Sequence, residues 1–328
     1  MTTEKDSRRA AVGASLLLIF LATVIAEVLI GSTPFSRFGT LPFQFLYYGL
    51  AALVSREVVV RLRLRRAALV VLGVAFGICT EGLALQSIFN PHFLNLDISF
   101  GRLAGVNWPW ALYMVAYHAL WSITIPVTLT GLAFRNQRSV PWVNRWVTVV
   151  FLVLFVLVGL AIHSFFRQQF HFVAPLAPNL VALALVLVLI VVALRLKRPA
   201  APVDTVGPRP AWVAGLTMFV FGGVWFLLYA GIFGSEYRIP AWLNLVLGVV
   251  AALAMVFLSR RLFPAAWSDA HAFAFIAGGL AANSLFGIYV VSVSGVAIDL
   301  YAHIVIVVGA TALLALLWKK RVAARRIT

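Results

Sequence analysis

Residues 73–126 read GVAFGICTEGLALQSIFNPHFLNLDISFGRLAGVNWPWALYMVAYHALWSITIP, two apolar runs joined by the connection 90–107. Apolar runs of this length predict helices that span a membrane. Each run carries one ionisable residue well inside it, Glu81 in the first and His118 in the second. A carboxylate placed in hydrocarbon costs roughly 3 kcal/mol on insertion scales, which makes Glu81 a candidate functional residue.

The composition extends this interpretation to the whole chain. Of the 328 residues, 63% are hydrophobic and 11% are charged, which is typical of a transmembrane helix bundle and excludes an ordinary soluble domain. No charge-rich stretch is long enough for a separate soluble domain, so we expect a single integral membrane domain over residues 1–328. The predicted fold class is therefore all-α, a polytopic bundle in a lipid bilayer.

Ten apolar runs are long enough to span a bilayer. They lie near 10–32, 41–56, 67–89, 108–134, 146–166, 176–195, 211–233, 240–259, 270–292 and 297–318. The proline-rich segment 196–210 is interpreted as a cytoplasmic linker between the sixth and seventh spans.

The distribution of positive charge predicts the orientation. When loops are assigned to alternate sides, Arg37, Arg102, Arg167 and Arg238 fall on one side and the other 22 of the 26 Lys and Arg residues on the opposite side. The positive-inside rule then places both termini in the cytoplasm, in a plasma or inner membrane, and supports the count of ten. The same rule accounts for the formal charge of +16, so this charge does not indicate a nucleic-acid partner. We expect the lipid bilayer and a small-molecule or ion substrate as partners.

The first four and the last four spans resemble each other loosely. The sequence at 12–35, VGASLLLIFLATVIAEVLIGSTPF, is similar to that at 214–237, AGLTMFVFGGVWFLLYAGIFGSEY, and a proline opens the next span in both cases. This pattern predicts a possible parallel four-helix repeat of spans 1–4 and 7–10, as some transporters have. Chance matching between apolar sequences is the alternative.

Glu81 and His118 are expected to meet. A helical rise of about 1.5 Å per residue puts them roughly 12 and 15 Å below the same membrane face, and consecutive helices are usually neighbours. Four further ionisable residues lie in that half of the membrane: Glu27, His163, Asp299 and His303. We predict a polar site that opens outward, with these six residues as candidates for binding substrate or protons.

Local patterns support the first two residues. Gly73 and Gly77 form a GxxxG match and share a helical face with Glu81, which predicts close helix packing and directs Glu81 into the bundle. His118 and Ser122 share a face with Pro126, which removes a backbone hydrogen bond and predicts a kink. The alternatives are a protonated, hydrogen-bonded Glu81 that only packs and a hydrogen-bonded core histidine beside a kink.

Other patterns are less specific. Asp299 and His303 stand four residues apart and can face one ligand such as zinc, although Asp299 can equally cap its helix. A metal is left open, with His118, His303 and Glu81 as candidate ligands, and no cofactor is predicted. The connection 90–107 is expected to form a lid or a surface helix over the site, or a plain connector. Glu57 and Arg61 are interpreted as a structural pair at the cytoplasmic boundary.

Three functions are compatible with these patterns. The first is a small-molecule or ion transporter, possibly proton-coupled; in helix count and size the chain is similar to the drug/metabolite transporter superfamily, whose repeat is five plus five. The second is an intramembrane hydrolase, metal-dependent or not, that uses Glu81 and His118 with His163 or His303. The third is a non-catalytic scaffold. Whether the protein is an enzyme stays open.

The hydrolase alternative rests on one resemblance. Thr80-Glu81 and His118 resemble the glutamate and histidine motifs of the CAAX-protease and bacteriocin-processing family. Leu85 and Ser122 stand where that family has arginine and asparagine, so the activity is not carried over. The chain has no Walker loop, HExxH or GxSxG motif, which excludes ATPases and the hydrolases marked by those motifs.

Overall fold

The computed structural model describes residues 4–93, 100–197, 209–233, 239–262 and 267–322. Eleven α-helices account for most of these residues. They are α1 (Glu4–Thr23), α2 (Leu41–Arg61), α3 (Arg66–Ile78), α4 (Trp108–Tyr117), α5 (Ile125–Ala133), α6 (Arg145–Phe170), α7 (Leu176–Arg195), α8 (Ala211–Ala230), α9 (Ala241–Leu262), α10 (Asp269–Val293) and α11 (Ala297–Leu317).

Four segments wind as wider π-helix and continue these helices. Val24–Val28 extends α1, Cys79–Ala84 extends α3, His118–Thr124 joins α4 to α5, and Trp318–Val322 follows α11. Two short 3₁₀ helices, Phe35–Thr40 and Arg135–Gln137, lie in connections. The described residues also form one two-stranded sheet, β1 (Arg102–Leu103) paired antiparallel with β2 (Val106–Asn107).

Within the described residues, ten helical stretches are long and apolar enough to cross a membrane, as predicted. They are Asp6–Val28, Phe35–Arg61, Arg66–Ala84, Trp108–Ala133, Arg145–Phe170, Leu176–Arg195, Ala211–Ala230, Ala241–Leu262, Asp269–Val293 and Ala297–Lys320. The third span is shorter than the predicted 67–89 because Gln86 adopts a left-handed backbone, with φ of 54°, that ends the helix. Most of the linker predicted at 196–210 lies outside the described residues.

Contacts between connections define one end of the bundle, which we call the arginine face. Gln137 bonds Ser7 of the N-terminal helix, Leu64 pairs with Lys197, and Arg138 bonds Asp269. Together with the hydrogen bond from Arg56 Nη2 to the carbonyl of Val140, these contacts join the N-terminal end to the connections after spans 2, 4, 6 and 8. Every second connection therefore lies at the same end of the bundle, as ten consecutive membrane crossings require.

The opposite end carries the two-stranded sheet and is called the hairpin face. There Ser36 bonds Asp299, Gln86 bonds Asn179, and Arg102 bonds the carbonyl of Phe89. Which face meets the cytoplasm stays a prediction from the charge rule, which assigns the hairpin face to the outside.

The core of the bundle lies between spans 1–4, 7 and 9. α6 has no buried residue among those described and α11 has only Asp299 and His303, so both present their apolar side chains to lipid. The closest helix pair is α8 with α10, where a Cβ on Gly278 would lie 2.0 Å from the carbonyl oxygen of Gly215. α3 packs chiefly against α7 and the fourth span, so the two halves pack differently and the parallel repeat stays a prediction.

Candidate functional site

Glu81 and His118 meet in the interior of the protein. The distance from Glu81 Oε1 to His118 Nε2 is 2.8 Å, and the two side chains are 1% and 2% exposed. Their approach depends on the predicted glycine pair: a Cβ on Gly73 would lie 2.7 Å from Ala119 Cα, and one on Gly77 would lie 2.9 Å from Val115 Cα. The predicted contact between the third and fourth spans is thus confirmed.

A chain of hydrogen bonds runs through this pair. Trp110 Nε1 donates to Ser87 Oγ at 3.0 Å, and the Ser87 hydroxyl donates to Glu81 Oε2. On the other side, His118 Nδ1 lies 2.9 Å from Ser122 Oγ. All five side chains are buried. Because both imidazole nitrogens and both carboxylate oxygens have partners, one proton can sit on either member of the pair without leaving a polar atom unpaired.

The ionisable residues coincide with the π-helical segments. Glu27, Glu81 and His118 each lie in one of the three π segments within the first, third and fourth spans. A π turn inserts one residue into the helix, leaves backbone groups free of their usual partners, and occurs often at functional sites. The kink predicted at Pro126 takes this form: the wide turn ends at Thr124, and Pro126 opens the following helix.

Aromatic rings surround the imidazole. Tyr48 stacks on His118 with 5.8 Å between ring centroids, and Phe76 meets it edge-on at 5.5 Å. Tyr48 also lies close to both Glu27 and Glu81. It therefore lies between the Glu81–His118 pair and the carboxylate of Glu27. Nothing in the sequence pattern singled Tyr48 out.

Glu27 forms a second cluster nearer the hairpin face. Its Oε2 accepts hydrogen bonds from Ser32 Oγ at 2.8 Å and Thr33 Oγ1 at 2.9 Å. Thr33 Oγ1 in turn accepts a hydrogen bond of 2.9 Å from Gln44 Nε2. The structure thus links Glu27 to oxygen-bearing side chains of the first two spans rather than to His118 directly.

The remaining predicted residues do not converge on the pair. Asp299 accepts hydrogen bonds from Ser36 N at 2.7 Å and Ser36 Oγ at 2.8 Å, so it caps the 3₁₀ helix Phe35–Thr40. His303 is buried against Gly287, and its Nε2 has no hydrogen-bond partner. Of the two interpretations of Asp299, a helix cap and a ligand shared with His303, the structure supports a capping role, although for the 3₁₀ helix rather than for its own helix.

His163 also lies apart from the carboxylate of Glu81. Its Nδ1 lies 3.1 Å from the carbonyl oxygen of Leu83, a residue of the π segment that carries Glu81. Among the residues that the structure describes, no three His, Cys, Asp or Glu side chains lie close enough together to hold a metal ion. Glu81 and His118 thus have no third protein ligand from His163 or His303.

The described part of the connection between the third and fourth spans forms a hairpin that bonds the end of the third span. Ala104 and Gly105, with φ of 52° and 77°, form the two-residue turn between β1 and β2. The Arg102 guanidinium donates to the carbonyls of Phe89 and Asn90 at 3.0 and 3.2 Å, and burial lowers the pKa of Arg102 from its usual value. The surface helix predicted here is wrong for 102–107, while Asn95 and Asp97 lie outside the described residues.

A third polar cluster lies at the arginine face. Glu57 is fully buried, bonds Arg56, and lies 3.1 Å from Arg61 Nη2. Its Oε1 also accepts the backbone N–H of Trp142 at 2.9 Å, and Trp142 stacks under the guanidinium of Arg56. The predicted pair of Glu57 and Arg61 exists, but it belongs to a buried network that ties span 2 to the connection after span 4.

Comparison with known proteins identifies a family without a described activity. No curated protein matches the chain. No solved structure matches it either. The model of an uncharacterized membrane protein family matches residues 16–325. This match covers nearly the whole chain, and together with the ten spans it shows that the protein is a multi-pass membrane protein that belongs to this family.

Proposed function

We propose that the protein transports a small molecule or an ion and that Glu81 and His118 bind and release a proton during its cycle. The observation that carries the proposal is the 2.8 Å contact between a buried carboxylate and a buried imidazole. Ionisable groups inside a membrane are costly, and where they are kept they commonly form proton relays or substrate pathways. An aliphatic pair would pack these spans without that cost.

The pair can hold its proton in more than one way. With His118 neutral and Glu81 ionised, Nε2–H donates to the carboxylate and Nδ1 accepts from the Ser122 hydroxyl. With one proton more, the imidazolium donates to both partners. Without that extra proton the pair carries a net negative charge, which water stabilises and burial penalises. A conformational change that opens the site therefore changes its proton occupancy.

The pair is linked by hydrogen bonds to the hairpin face. The hydrogen bonds from Trp110 through Ser87 to Glu81 extend toward that face. Because an indole N–H only donates, this chain orients the Glu81 carboxylate and does not relay protons through Trp110. It supports a site that opens to the side that the charge rule assigns to the outside.

The proposal is tested in liposomes that contain the purified protein and a fluorescent pH indicator. Amines, amino acids, sugars and organic anions are added outside in turn. We expect at least one class to drive a change in internal pH with wild type. The response should be lost in Glu81→Gln and His118→Gln and kept in the matched control His163→Gln. Proton movement at the wild-type rate in Glu81→Gln would overturn the proposal.

The hydrolase alternative is measured on the same preparations. Turnover of fluorogenic esters or peptides by wild type, lost in Glu81→Gln and without solute-driven pH change, would replace transport by intramembrane hydrolysis. The close contact of Glu81, His118 and Ser122 is the only observation among the described residues that favours this alternative.

A further inference from the structure

We infer that the arginine face carries a binding site for the headgroup of an anionic phospholipid, where the connection after the second span meets the end of the sixth span. The basic side chains of this site are Arg63, Arg65, Arg195 and Lys197. The inference goes beyond the proposed function and does not depend on it. It rests on how the backbone joins these residues and on the charges around them.

Hydrogen bonds to main-chain carbonyls hold the two segments together. Leu64 and Lys197 form an antiparallel bridge. Arg65 donates from its main-chain N–H to the carbonyl of Leu196 at 2.7 Å, and from Nε to the carbonyl of Lys197 at 2.8 Å. The four basic residues lie no more than two residues from this bridge, and all four are exposed. The fold therefore concentrates their positive charges on one small area of the surface.

The charges of this basic cluster are not neutralised by neighbouring carboxylates. Other arginines of the same face have such partners: Arg56 and Arg61 pair with Glu57, and Arg135 and Arg138 pair with Asp269. In the described part of the chain, no ion pair joins the basic cluster to a carboxylate. The positive-inside rule explains why cations lie at this face, but not why these four stand together without an acidic partner. Such a concentration of charge favours an anionic ligand.

The N-terminus of α3 adds to this positive field. The helix begins at Arg66, directly after Arg65, and no side chain among the described residues caps it. The N-terminal end of a helix carries a partial positive charge and main-chain N–H groups that suit a phosphate group. A phosphodiester beside Arg65 would therefore interact with basic side chains and with the end of the helix.

The neighbouring surface suits the acyl chains of a lipid. Val191 and Val192 of α7 are 53% and 43% exposed, and they lie about one helical turn before Arg195. Leu62, next to Arg63, is 44% exposed. Basic residues beside the lipid-facing surface of a span are typical of sites for anionic lipids, which the cytoplasmic leaflet contains. A soluble anion would leave this apolar surface unused, so the observations favour a phospholipid.

The test uses the full-length protein in detergent micelles and native mass spectrometry. Phosphatidylglycerol and phosphatidylcholine with identical acyl chains are titrated separately, and the protein with one bound lipid is quantified. Since each cation near an anionic surface contributes about fivefold in affinity, we expect phosphatidylglycerol to bind at least about tenfold more tightly. Arg63→Gln/Lys197→Gln should raise its dissociation constant by about 5–25-fold. Both side chains are exposed, so the fold should be kept.

The matched control is Arg260→Gln/Arg261→Gln, which removes the same charge from an exposed pair at the same face. Its dissociation constant should stay within about twofold of wild type, because distant exposed charges are screened. Equal binding of the two lipids by wild type, or an unchanged dissociation constant in Arg63→Gln/Lys197→Gln, would overturn the inference. An equal loss in both double variants would also overturn it, since it would show a diffuse charge effect. If Arg63→Gln/Lys197→Gln does not fold, Arg195→Gln takes its place, with an expected loss of about fivefold.

Discussion

Replacing Glu81 and His118 together should destabilise the protein by less than the sum of the two single replacements. His118→Phe keeps an aromatic ring against Tyr48 and Phe76 but leaves the carboxylate buried with a single hydroxyl partner. Removing one member of a buried charged pair costs about 3–5 kcal/mol, whereas losing a neutral hydrogen bond costs about 0.5–1.5 kcal/mol. Glu81→Leu, with a side chain of similar size, removes the other charge.

The expected coupling follows from the geometry of the pair. In the ionised form of the pair, with an imidazolium and a carboxylate 2.8 Å apart, two unit charges attract by about 6 kcal/mol at an effective dielectric constant of 20, before desolvation is subtracted. Most of that attraction is offset by the cost of burying both groups. We therefore expect the double variant to cost about 2–3 kcal/mol less than the sum of the single variants, within the range that contacting residues show.

The assay is reversible unfolding in mixed micelles with increasing sodium dodecyl sulfate, followed by tryptophan fluorescence. The matched control is His271→Phe, because His271 lies at the arginine face and bonds the carbonyl of Arg209 and the hydroxyl of Ser268. Its coupling to Glu81→Leu should stay within about 0.5 kcal/mol. A coupling energy between Glu81 and His118 below about 0.5 kcal/mol would refute the claim that they act as an electrostatic pair.

Three further substitutions test the packing and the polar clusters, the first two by the same unfolding assay and the third by the tryptophan emission spectrum. Gly73→Ala should destabilise the protein by about 1–3 kcal/mol, because the new Cβ would lie 2.7 Å from Ala119 Cα. Gly223→Ala serves as the control, because its new Cβ would meet no atom within 4 Å. Equal destabilisation by the two substitutions would contradict the close packing at Gly73. Glu57→Ala should cost about 3–5 kcal/mol because a buried arginine loses its counter-ion, and a cost under 1 kcal/mol would argue against the buried network. Ser87→Ala should shift the emission of the tryptophan that donates to it, and an unchanged spectrum would contradict that hydrogen bond.

The sequence was sufficient to predict which spans carry the site. Hydrophobic runs of bilayer length and the positive-inside pattern predict ten spans because a membrane imposes both constraints on every segment. The GxxxG pair predicts the close approach of the third span, and consecutive order makes the fourth span its neighbour. Glu81 and His118 therefore meet, as the order of the spans predicts.

Neither the positions of the π segments nor the contacts of Tyr48 could be predicted from the sequence. A π turn changes the helical repeat by one residue, and an apolar segment with few polar markers fits either repeat equally well. Tyr48 lies in the second span and belongs to no local pattern with Glu27 or His118, so only tertiary packing brings them together. Asp299 and His303 show a limit of reasoning from spacing. A separation of four residues places two side chains on one helical face but does not give them the same partner.

The end of the first span connects Glu27 to the Glu81–His118 pair mechanically. Its π turn leaves the carbonyls of Ile25 and Ala26 free to accept the Tyr117 hydroxyl, at 3.1 and 3.0 Å, and Asn283 Nδ2 also bonds Ile25 at 3.0 Å. This end is thus held by side chains of the fourth and ninth spans, which can exchange partners more readily than a continuous helix can break. Tyr117 immediately precedes His118, and Tyr48 packs on the imidazole while interacting with Glu27. A displacement of this end therefore acts on both tyrosines beside His118, and through them on the proton shared with Glu81.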